Sequence, residues 1–378
     1  MKRHFCSYLS MFAGVYVLLA LIVLLNIIFL IRTDELGGIN AIVDKQVKGG
    51  GLYSGHHGVI DVKFENYKRK KPKIIALGSS RSLQIRDYFF TEPFYNIGGE
   101  ARSLLQAYHI LDRFFGVHKP EVVILYLDYW WRFSNEDKRP PVNPNYMRRT
   151  VTSAVAPIAA LLDNRLQIGQ YFDIISGKLT YTGPIQRIGF GALTTLGGFG
   201  PDGSHYYNLQ GNMLPVNQRI SDKTRFIRDE PVPSGRLDFG LLRHLQAELK
   251  QQGITLISIL APLSQKTLKL ARQKKGYSYI TELRRHLVED VPNAYDFFDL
   301  SPYGASDCEF SDSMHAGEVA NMRIIYEISK SENSPLLRYV DPKSLKSMIS
   351  KHANGVTIAN NAIGDAFRAS INQQYDEC

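Results

Sequence analysis

Three residues in two short motifs have the types and spacing of a serine nucleophile with its base. Ser80 ends the run Gly78-Ser79-Ser80, and Asp312 stands three residues before His315. An aspartate at that spacing can accept a hydrogen bond from the imidazole Nδ1–H, which leaves Nε2 to take a proton from a serine hydroxyl. The chemistry that these residues predict is acyl transfer through an acyl-serine intermediate.

Each motif alone also has an ordinary structural explanation. A Gly-Ser-Ser run is commonly a turn or a helix N-cap, and an Asp-x-x-His run near a helix start is commonly a cap. Their positions make the case stronger, because one follows the first predicted strand and the other follows the last, which ends at Asp299. In an open parallel sheet both would face the edge where ligands bind, so we interpret them as one active site.

Short apolar runs and amphipathic segments alternate along most of the chain. The runs that predict strands are residues 73–77, 94–97, 121–127, 254–260 and 295–299. The segments that predict helices are residues 101–115, 239–252, 278–289 and 317–329. Residues 121–127 are apolar almost without interruption, which indicates a strand buried on both faces. This order predicts an α/β fold, a parallel sheet with helices on both faces in three layers.

The stretch from about 134 to 236 breaks the alternation and is predicted to be an insertion. It contains one predicted helix, at about 151–168, and then the glycine-rich runs 189–191 and 197–200. These glycines follow no strand and lack the Lys-Ser/Thr of a phosphate loop, so nucleotide binding is not expected. We expect the insertion to cap an edge of the sheet or to carry substrate contacts.

Residues 12–31 carry no charge and have the length of a transmembrane helix, about 30 Å at 1.5 Å per residue. Basic residues lie mainly before this segment, so residues 1–11 are expected to stay cytoplasmic. No small-x-small cleavage site follows, which favours an uncleaved signal anchor over a signal peptide. The prediction is a single-pass protein of the cytoplasmic membrane, in contact with the lipid bilayer, whose C-terminal domain lies on the periplasmic or cell-wall side.

Around the anchor, the sequence predicts a stalk at 32–72, one domain at 73–330 that includes the insertion, and a polar tail at 331–378. The net charge of +9 is diffuse, and the basic run 68–71 lies close to the anchor. That placement favours anionic headgroups or a polyanionic envelope polymer as its partner, and no nucleic-acid motif accompanies it.

Cysteines and histidines give little evidence of a cofactor. Cys308 and Cys378 would both lie on the oxidising side of the membrane and could pair, but their separation in sequence does not establish a disulfide. No Cys/His cluster has zinc spacing, and the adjacent pair at 56–57 is weak evidence for a metal. We therefore expect no metal and no cofactor.

The order of these motifs resembles that of the SGNH (GDSL-like) hydrolases, over residues 73–330. The resemblance implies a flavodoxin-like three-layer fold with Ser80 as the nucleophile, His315 as the base and Asp312 as its orienting carboxylate. It also implies an oxyanion hole formed by the amides of Ser80 and of Gly98 or Gly99, which follow the run Tyr95-Asn96-Ile97.

One position departs from the family pattern. The family has an asparagine after the third strand, where this sequence has Asp128, and a carboxylate cannot donate a hydrogen bond unless it is protonated. The departure, the anchor and the variant Gly-Ser-Ser-Arg resemble membrane-anchored members that decorate envelope polymers, such as the teichoic acid D-alanyl transfer protein and exopolysaccharide O-acetylation proteins. Arg81, Asp128, Trp130 and Trp131 are then candidate substrate-binding residues, the tryptophans either as sugar-stacking platforms or as core aromatics.

Three functions remain open from the sequence. The first is a serine esterase or O-acyltransferase that acts on an envelope polysaccharide or an acyl donor, with a multi-pass membrane O-acyltransferase as a possible partner. The second is a non-catalytic SGNH-like scaffold that binds a glycan or that acyltransferase. The third is a lipase or thioesterase with the same catalytic residues, since fold alone does not choose a substrate.

Overall fold

The apolar runs form strands of one parallel sheet in a computed structural model that describes residues 2–55, 58–131, 155–164, 166–178, 186–195, 197–207, 216–220 and 239–357. In chain order, the strands of this sheet and of a second, smaller sheet are β1 Leu52–Tyr53, β2 Ile74–Leu77, β3 Phe94–Asn96, β4 Val122–Leu127, β5 Arg187–Ile188, β6 Gly198–Phe199, β7 His205–Tyr206, β8 Thr255–Leu260 and β9 Ala294–Asp296.

Helices surround these strands. They are α1 Lys2–Arg32, α2 Ile39–Gly49, α3 Val59–Lys70, α4 Leu104–Phe115, α5 at 155–162, α6 Ile168–Ile175, α7 Phe190–Thr195, α8 Val216–Arg219, α9 Gly240–Gln251, α10 Gln265–Ala271, α11 Tyr277–Asp290, α12 Glu318–Ser329 and α13 Pro342–His352. A short 3₁₀ turn, Ser80–Ser82, follows β2.

The main sheet has the strand order β3-β2-β4-β8-β9, and every pair in it is parallel. Taken in chain order this is 2-1-3-4-5, the doubly wound order of flavodoxin-like folds. The chain leaves β2 toward one side of the sheet and later returns on the other, as β4. Ligands in such sheets bind in the crevice outside the carboxyl ends of the strands at this switch point.

Both faces of the sheet are covered by helices. On one face Ile75 and Val123 belong to a core cluster with side chains of α4, α9 and α11. On the other face Ile74 and Val122 belong to a second cluster with side chains of α12 and α13. Every residue of β4 is buried, as the apolar run predicts, because successive side chains enter opposite cores. The predicted parallel sheet with helices is confirmed.

Residues 33–72 differ from the expected stalk, because most of them are folded. α2 and α3 bury Ile42, Val43 and Val62 in a small core. The glycines that suggested a linker end a helix instead: Gly50, at φ +65°, caps α2 and its amide donates to Gln46 O at 2.9 Å. The folded domain therefore begins well before residue 73.

Parts of the predicted insertion pair with the segment ahead of the core. Leu52 lies parallel to Arg187 and Tyr53 antiparallel to Phe199, in a small sheet of order β5-β1-β6-β7. Gly189 has φ +91°, and a Cβ there would lie 2.5 Å from Ser54 O, so the turn after β5 requires glycine. The two segments, far apart in sequence, form one structural unit.

The chain after residue 330 also continues to fold. α13 packs on α12 and buries Leu345 and Ile349, and beyond it Val356 is buried and its carbonyl accepts from the Glu318 amide at 2.6 Å, so the domain extends at least to residue 356. The remainder of the expected tail, 358–378, lies outside the described residues, as do residues 56–57 and much of 134–236.

The N-terminal helix is long and apolar enough to cross a membrane over Met11–Arg32, a stretch of 22 residues that contains an 18-residue window of mean hydropathy 2.9. Most of its side chains between Met11 and Leu24 are exposed on the protein surface.

Candidate active site

The turn after β2 presents Ser80 at the switch point of the sheet. Gly78 ends the strand under Tyr126 of β4, and a Cβ on Gly78 would lie 2.8 Å from the Cβ of Tyr126. Ser79 then caps the 3₁₀ turn, its Oγ accepting from the Arg81 amide at 3.3 Å. Ser80 is the first residue of that turn, and its side chain is half-buried at the carboxyl edge.

His315 and Asp312 lie in the loop that follows the last strand, β9, and His315 contacts Ser80 at the carboxyl edge of the sheet. Ser80 Oγ lies 2.8 Å from His315 Nε2. His315 Nδ1 lies 2.7 Å from Asp312 Oδ2 and 2.9 Å from Oδ1. Because a carboxylate only accepts, the proton belongs on Nδ1, and Nε2 is left to accept from the serine hydroxyl. The three residues predicted from the two motifs are thus in hydrogen-bond contact.

The loop around His315 holds the Asp312 carboxylate in its ionised form. Asp312 Oδ1 accepts from the amides of Met314 at 2.8 Å and His315 at 2.9 Å. Burial by itself would raise the pKa of Asp312, but the hydrogen bond and charge of His315 and the two amides outweigh it and lower the pKa to about 2. The carboxylate therefore stays charged at any physiological pH and fixes the imidazole.

Asn321 of α12 links the loop 311–317, which carries His315 and is called the base loop below, to the main sheet. Its Nδ2 donates to Ala316 O at 2.9 Å and Gly317 O at 2.8 Å, and its Oδ1 accepts from Tyr126 OH at 2.7 Å. Tyr126 also contacts the turn at Gly78, so one strand supports both the nucleophile and the base.

Arg81, predicted to bind substrate, is instead buried among protein acceptors. Its Nε donates to Met314 O at 3.0 Å, Nη1 to Asp128 Oδ1 at 3.1 Å, and Nη2 to Pro262 O. The side chain is 1% exposed. The sequence pattern alone did not indicate this, because an arginine after a serine turn is usually free to face solvent. Here Arg81 is a positioning residue that joins the nucleophile turn to the base loop.

Asp128 is likewise inside the protein rather than on a substrate surface. It follows β4 and is fully buried, with Arg81 as its ionic partner. Burial raises the pKa of Asp128, and the charge of Arg81 opposes that increase. The position that is asparagine in the family pattern therefore serves as the counter-ion of Arg81.

The two tryptophans have different environments. Trp131 is 1% exposed and belongs to the main core cluster, so of the two alternatives the core aromatic holds for it and the substrate-binding role does not. Trp130 is half-buried, with its ring 4.8 Å from that of Tyr129 and 5.4 Å from the Arg81 guanidinium carbon. Of the pair, only Trp130 presents ring surface beside the site.

Of the amides predicted to form the oxyanion hole, those of Gly98 and Gly99 already donate to acceptors within the protein. The Gly98 amide donates to Asn96 Oδ1 at 2.9 Å, and the Gly99 amide donates to Gly78 O at 2.9 Å. Both glycine amides are therefore occupied in this conformation. The Ser80 amide, in contrast, has no acceptor among the described residues. A Cβ at Gly98 would lie 2.0 Å from Ser82 Oγ, so a side chain there would require the Ser82 hydroxyl to move.

Asn96, which ends β3, organises this wall of the site although the sequence did not single it out as functional. It is fully buried, and its Nδ2 donates to Ser82 O at 2.8 Å and Ile85 O at 3.1 Å. Its Oδ1 accepts from Gly98. Asn96 thus fixes the nucleophile turn and the glycine wall relative to each other.

Tyr207, from the insertion, contacts Ser80 and His315, and the sequence did not indicate this. Its OH donates to Ser80 O at 3.0 Å, and its ring centroid lies 5.7 Å from that of His315. Burial raises the pKa of Tyr207, so the phenol stays protonated and remains a donor. No local pattern marks this tyrosine; only the pairing of β7 near the Ser80 turn brings it here. The insertion therefore contributes a residue to the site.

Two side chains with basic groups, the half-buried His205 and the buried Lys63, lie behind Tyr207. His205 is 4.8 Å from the Tyr207 ring, and its pKa is lowered to about 3 by burial and by the charges of Lys63, Arg86 and His315, so it is neutral and no rival base. Lys63 of α3 donates to Gly98 O at 2.6 Å. Burial lowers the pKa of Lys63 to about 7, against the opposing charges of Glu100 and Asp202.

The described residues contain no group of three or more His, Cys, Asp or Glu side chains placed to hold a metal ion. They do contain a serine hydroxyl, a histidine base and an aspartate joined by successive hydrogen bonds, namely Ser80, His315 and Asp312. This is the arrangement that activates a serine for attack on an acyl carbon.

Comparison with known proteins adds no assignment. No protein-family model matches the sequence, and no curated protein is significantly similar to it.

Proposed function

We propose that this protein is a membrane-anchored serine acyl hydrolase or acyltransferase that works through an acyl-Ser80 intermediate. The observation that carries the proposal is the continuous hydrogen-bonded chain Ser80–His315–Asp312 at the switch point of a parallel sheet. Three residues from opposite ends of the chain meet there in the geometry of a general-base-activated nucleophile.

The proposed reaction follows from that geometry. His315 Nε2 takes the hydroxyl proton while Ser80 Oγ bonds to the acyl carbonyl carbon. The Ser80 amide donates to the oxygen that becomes negative. The tetrahedral adduct then expels the donor's leaving group, which receives the proton from His315. Water or an acceptor hydroxyl reverses these steps, with His315 again as base and then as acid, and releases Ser80.

The finer assignment is to the SGNH type, acting outside the cytoplasm on an envelope glycan. The order of motifs in the sequence and the 2-1-3-4-5 strand order support it. The basic N-terminal flank of α1 supports a cytoplasmic N-terminus and an extracytoplasmic domain. Cys308 is disulfide-bonded, which supports an oxidising compartment. An acyl donor handed on by a multi-pass membrane acyltransferase fits that location.

A specific observation keeps a non-catalytic scaffold as the second candidate. The amides of Gly98 and Gly99 are occupied, and Asp128 is paired with Arg81 instead of donating into the site. If this arrangement persists with substrate bound, only the Ser80 amide would support an oxyanion, and acylation would be slow.

The experiment is rapid-quench intact-mass analysis of the full chain in detergent, mixed with p-nitrophenyl acetate. We expect one added acetyl group in the wild type, located on Ser80 by peptide mapping, and none in His315→Ala. Absence of the adduct together with absence of turnover would favour the scaffold. Fast turnover to acetate, not accelerated by an added glycan hydroxyl acceptor, would point to a lipase or thioesterase.

A further inference from the structure

The last turns of α1 are covered by two helices of the insertion. Phe29 is fully buried, and its ring stacks on Tyr171 of α6 with centroids 5.0 Å apart. Ala160 of α5 and Ile174 of α6 complete the same cluster. Phe29 lies inside the candidate membrane span Met11–Arg32, so α5 and α6 contact the anchor at a depth within that span.

The opposite faces of these two helices are apolar and exposed. On α5, Val155 and Leu162 lie seven residues apart on one stripe, and they are 50% and 81% exposed. On α6, Ile168 and Phe172 lie four residues apart and are 62% and 51% exposed. Helices of soluble domains pair one apolar face with one polar face, whereas α5 and α6 have an apolar face toward Phe29 and another toward the outside.

On α1, Ile27 and Ile31 lie two residues from Phe29 and are 42% and 58% exposed, so all three helices carry exposed apolar side chains near this contact. An exposed apolar surface of that kind marks a partner or a membrane contact. Arg32, which ends the span, lies beside the end of α6, its guanidinium 3.9 Å from the position of a Cβ on Gly177. A cation at that point suits the headgroup layer, which puts the helix faces beside Phe29 at the acyl-chain boundary.

We propose that α5 and α6 form a membrane-embedded shoulder that lies in one leaflet beside the anchor, with Val155, Leu162, Ile168 and Phe172 among the lipid acyl chains. The occupant of this surface is therefore the bilayer itself. The domain then sits directly on the membrane in a fixed orientation rather than on a flexible tether. This proposal rests on α1 spanning a bilayer, as in the proposed function, and not on the chemistry at Ser80.

The test is photocrosslinking of the full chain in vesicles of phosphatidylethanolamine and phosphatidylglycerol. p-Benzoylphenylalanine replaces Phe172 or Leu162 in separate variants, and the products are analysed by intact mass. A matched control carries it at Val288 of α11, which is also about half exposed, at 50%, but lies on the main domain. A second control carries it at Leu19 of α1, which is 52% exposed.

We expect adducts with the mass of one phospholipid at positions 172, 162 and 19, and none at 288. Adducts at 19 without any excess at 172 and 162 over 288 would overturn the shoulder and leave the anchor standing. Crosslinks at 172 and 162 to a second copy of the chain, in place of lipid, would also overturn it. Absence of adducts at position 19 as well would overturn the anchor on which the proposal rests, whatever the chemistry at Ser80.

Discussion

Arg81 and Asp128 form an ion pair that is closed off from solvent, with Nη1 3.1 Å from Oδ1 and side chains 1% and 0% exposed. The same guanidinium donates to Met314 O, next to His315. The residue after the nucleophile is thereby bound both to the end of β4 and to the base loop. The Arg81 side chain therefore contributes both to the stability of the fold and to the position of Ser80 relative to His315.

We expect Arg81→Ala to destabilise the fold by about 3–5 kcal/mol, because it leaves the Asp128 carboxylate buried without its counter-ion. Arg81→Ala/Asp128→Asn should be less destabilised than Arg81→Ala alone, since the double variant has no unpaired buried charge. Urea unfolding of the wild type, Arg81→Ala, Asp128→Asn and the double variant measures the difference. The exposed pair Arg272–Asp299 is the control, and Arg272→Ala should cost less than about 1 kcal/mol. Equal losses for the two arginines would contradict the argument.

Asp312→Asn should slow acylation of Ser80 by about 10³–10⁴-fold, because an amide in that place no longer selects the tautomer with the proton on Nδ1. The rate of reaction with p-nitrophenyl acetate measures this. Asp299→Asn is the control: its carboxylate pairs with Arg272 and Ser301 away from the catalytic residues, and its acylation rate should match that of the wild type.

Asp312 also predicts a pH dependence. Its folded pKa is about 2, below the ordinary value of 3.8, so its contribution to stability is present above about pH 4 and is lost as pH falls through the folded pKa. The gap in thermal midpoint between wild type and Asp312→Asn should therefore narrow between pH 4 and pH 2. A gap that stays constant over that interval would show that the carboxylate is not held ionised as the contacts indicate.

Tyr207→Phe should slow acylation by about 2- to 10-fold, the effect of one net hydrogen bond to the Ser80 carbonyl, since the ring against His315 is kept. Tyr207→Ala should cost more, because the ring contact is lost as well. Rates of both variants equal to the wild type would mean that the insertion does not support the site.

The stability of the wild type relative to Lys63→Met should increase as pH rises. Its folded pKa of about 7 lies below the ordinary 10.5, so between these values the unfolded chain binds more protons and the folded state gains. The thermal midpoint of the wild type minus that of Lys63→Met should increase from pH 7 to pH 10. A difference that is flat over this range would show that the ammonium is not penalised by burial beside Gly98.

Much of the framework follows from local pattern in the sequence. β4 can be predicted because six consecutive apolar residues indicate a strand that is buried on both faces. The parallel arrangement of its neighbours follows from the alternation of strands with helices. Ser80, Asp312 and His315 are readable because each motif ends or follows a strand, and parallel strands end at one edge. Topology then brings residues 235 positions apart to 2.8 Å.

The other site residues depend on contacts that no local pattern specifies. Arg81 has the composition of a surface side chain, and only the positions of Asp128, Met314 and Pro262 reveal that it is enclosed. Tyr207 reaches Ser80 because β7 pairs with β6 in the small sheet β5-β1-β6-β7. That same sheet is why residues 33–72 fold, since Tyr53 lies between two strands of the insertion.

The most direct test of the proposed acyl-Ser80 chemistry is covalent labelling of the full-length protein by a fluorophosphonate probe, which captures only an activated serine. We expect labelling of the wild type and of Ser79→Ala, which removes a hydroxyl that caps the turn and hydrogen-bonds Asp128 but leaves Ser80 and His315 in place, and no labelling of Ser80→Ala or His315→Ala. Peptide mapping should place the probe on Ser80. Labelling that survives in Ser80→Ala, or a wild type that is folded and does not react, would contradict the assignment of Ser80 as the nucleophile.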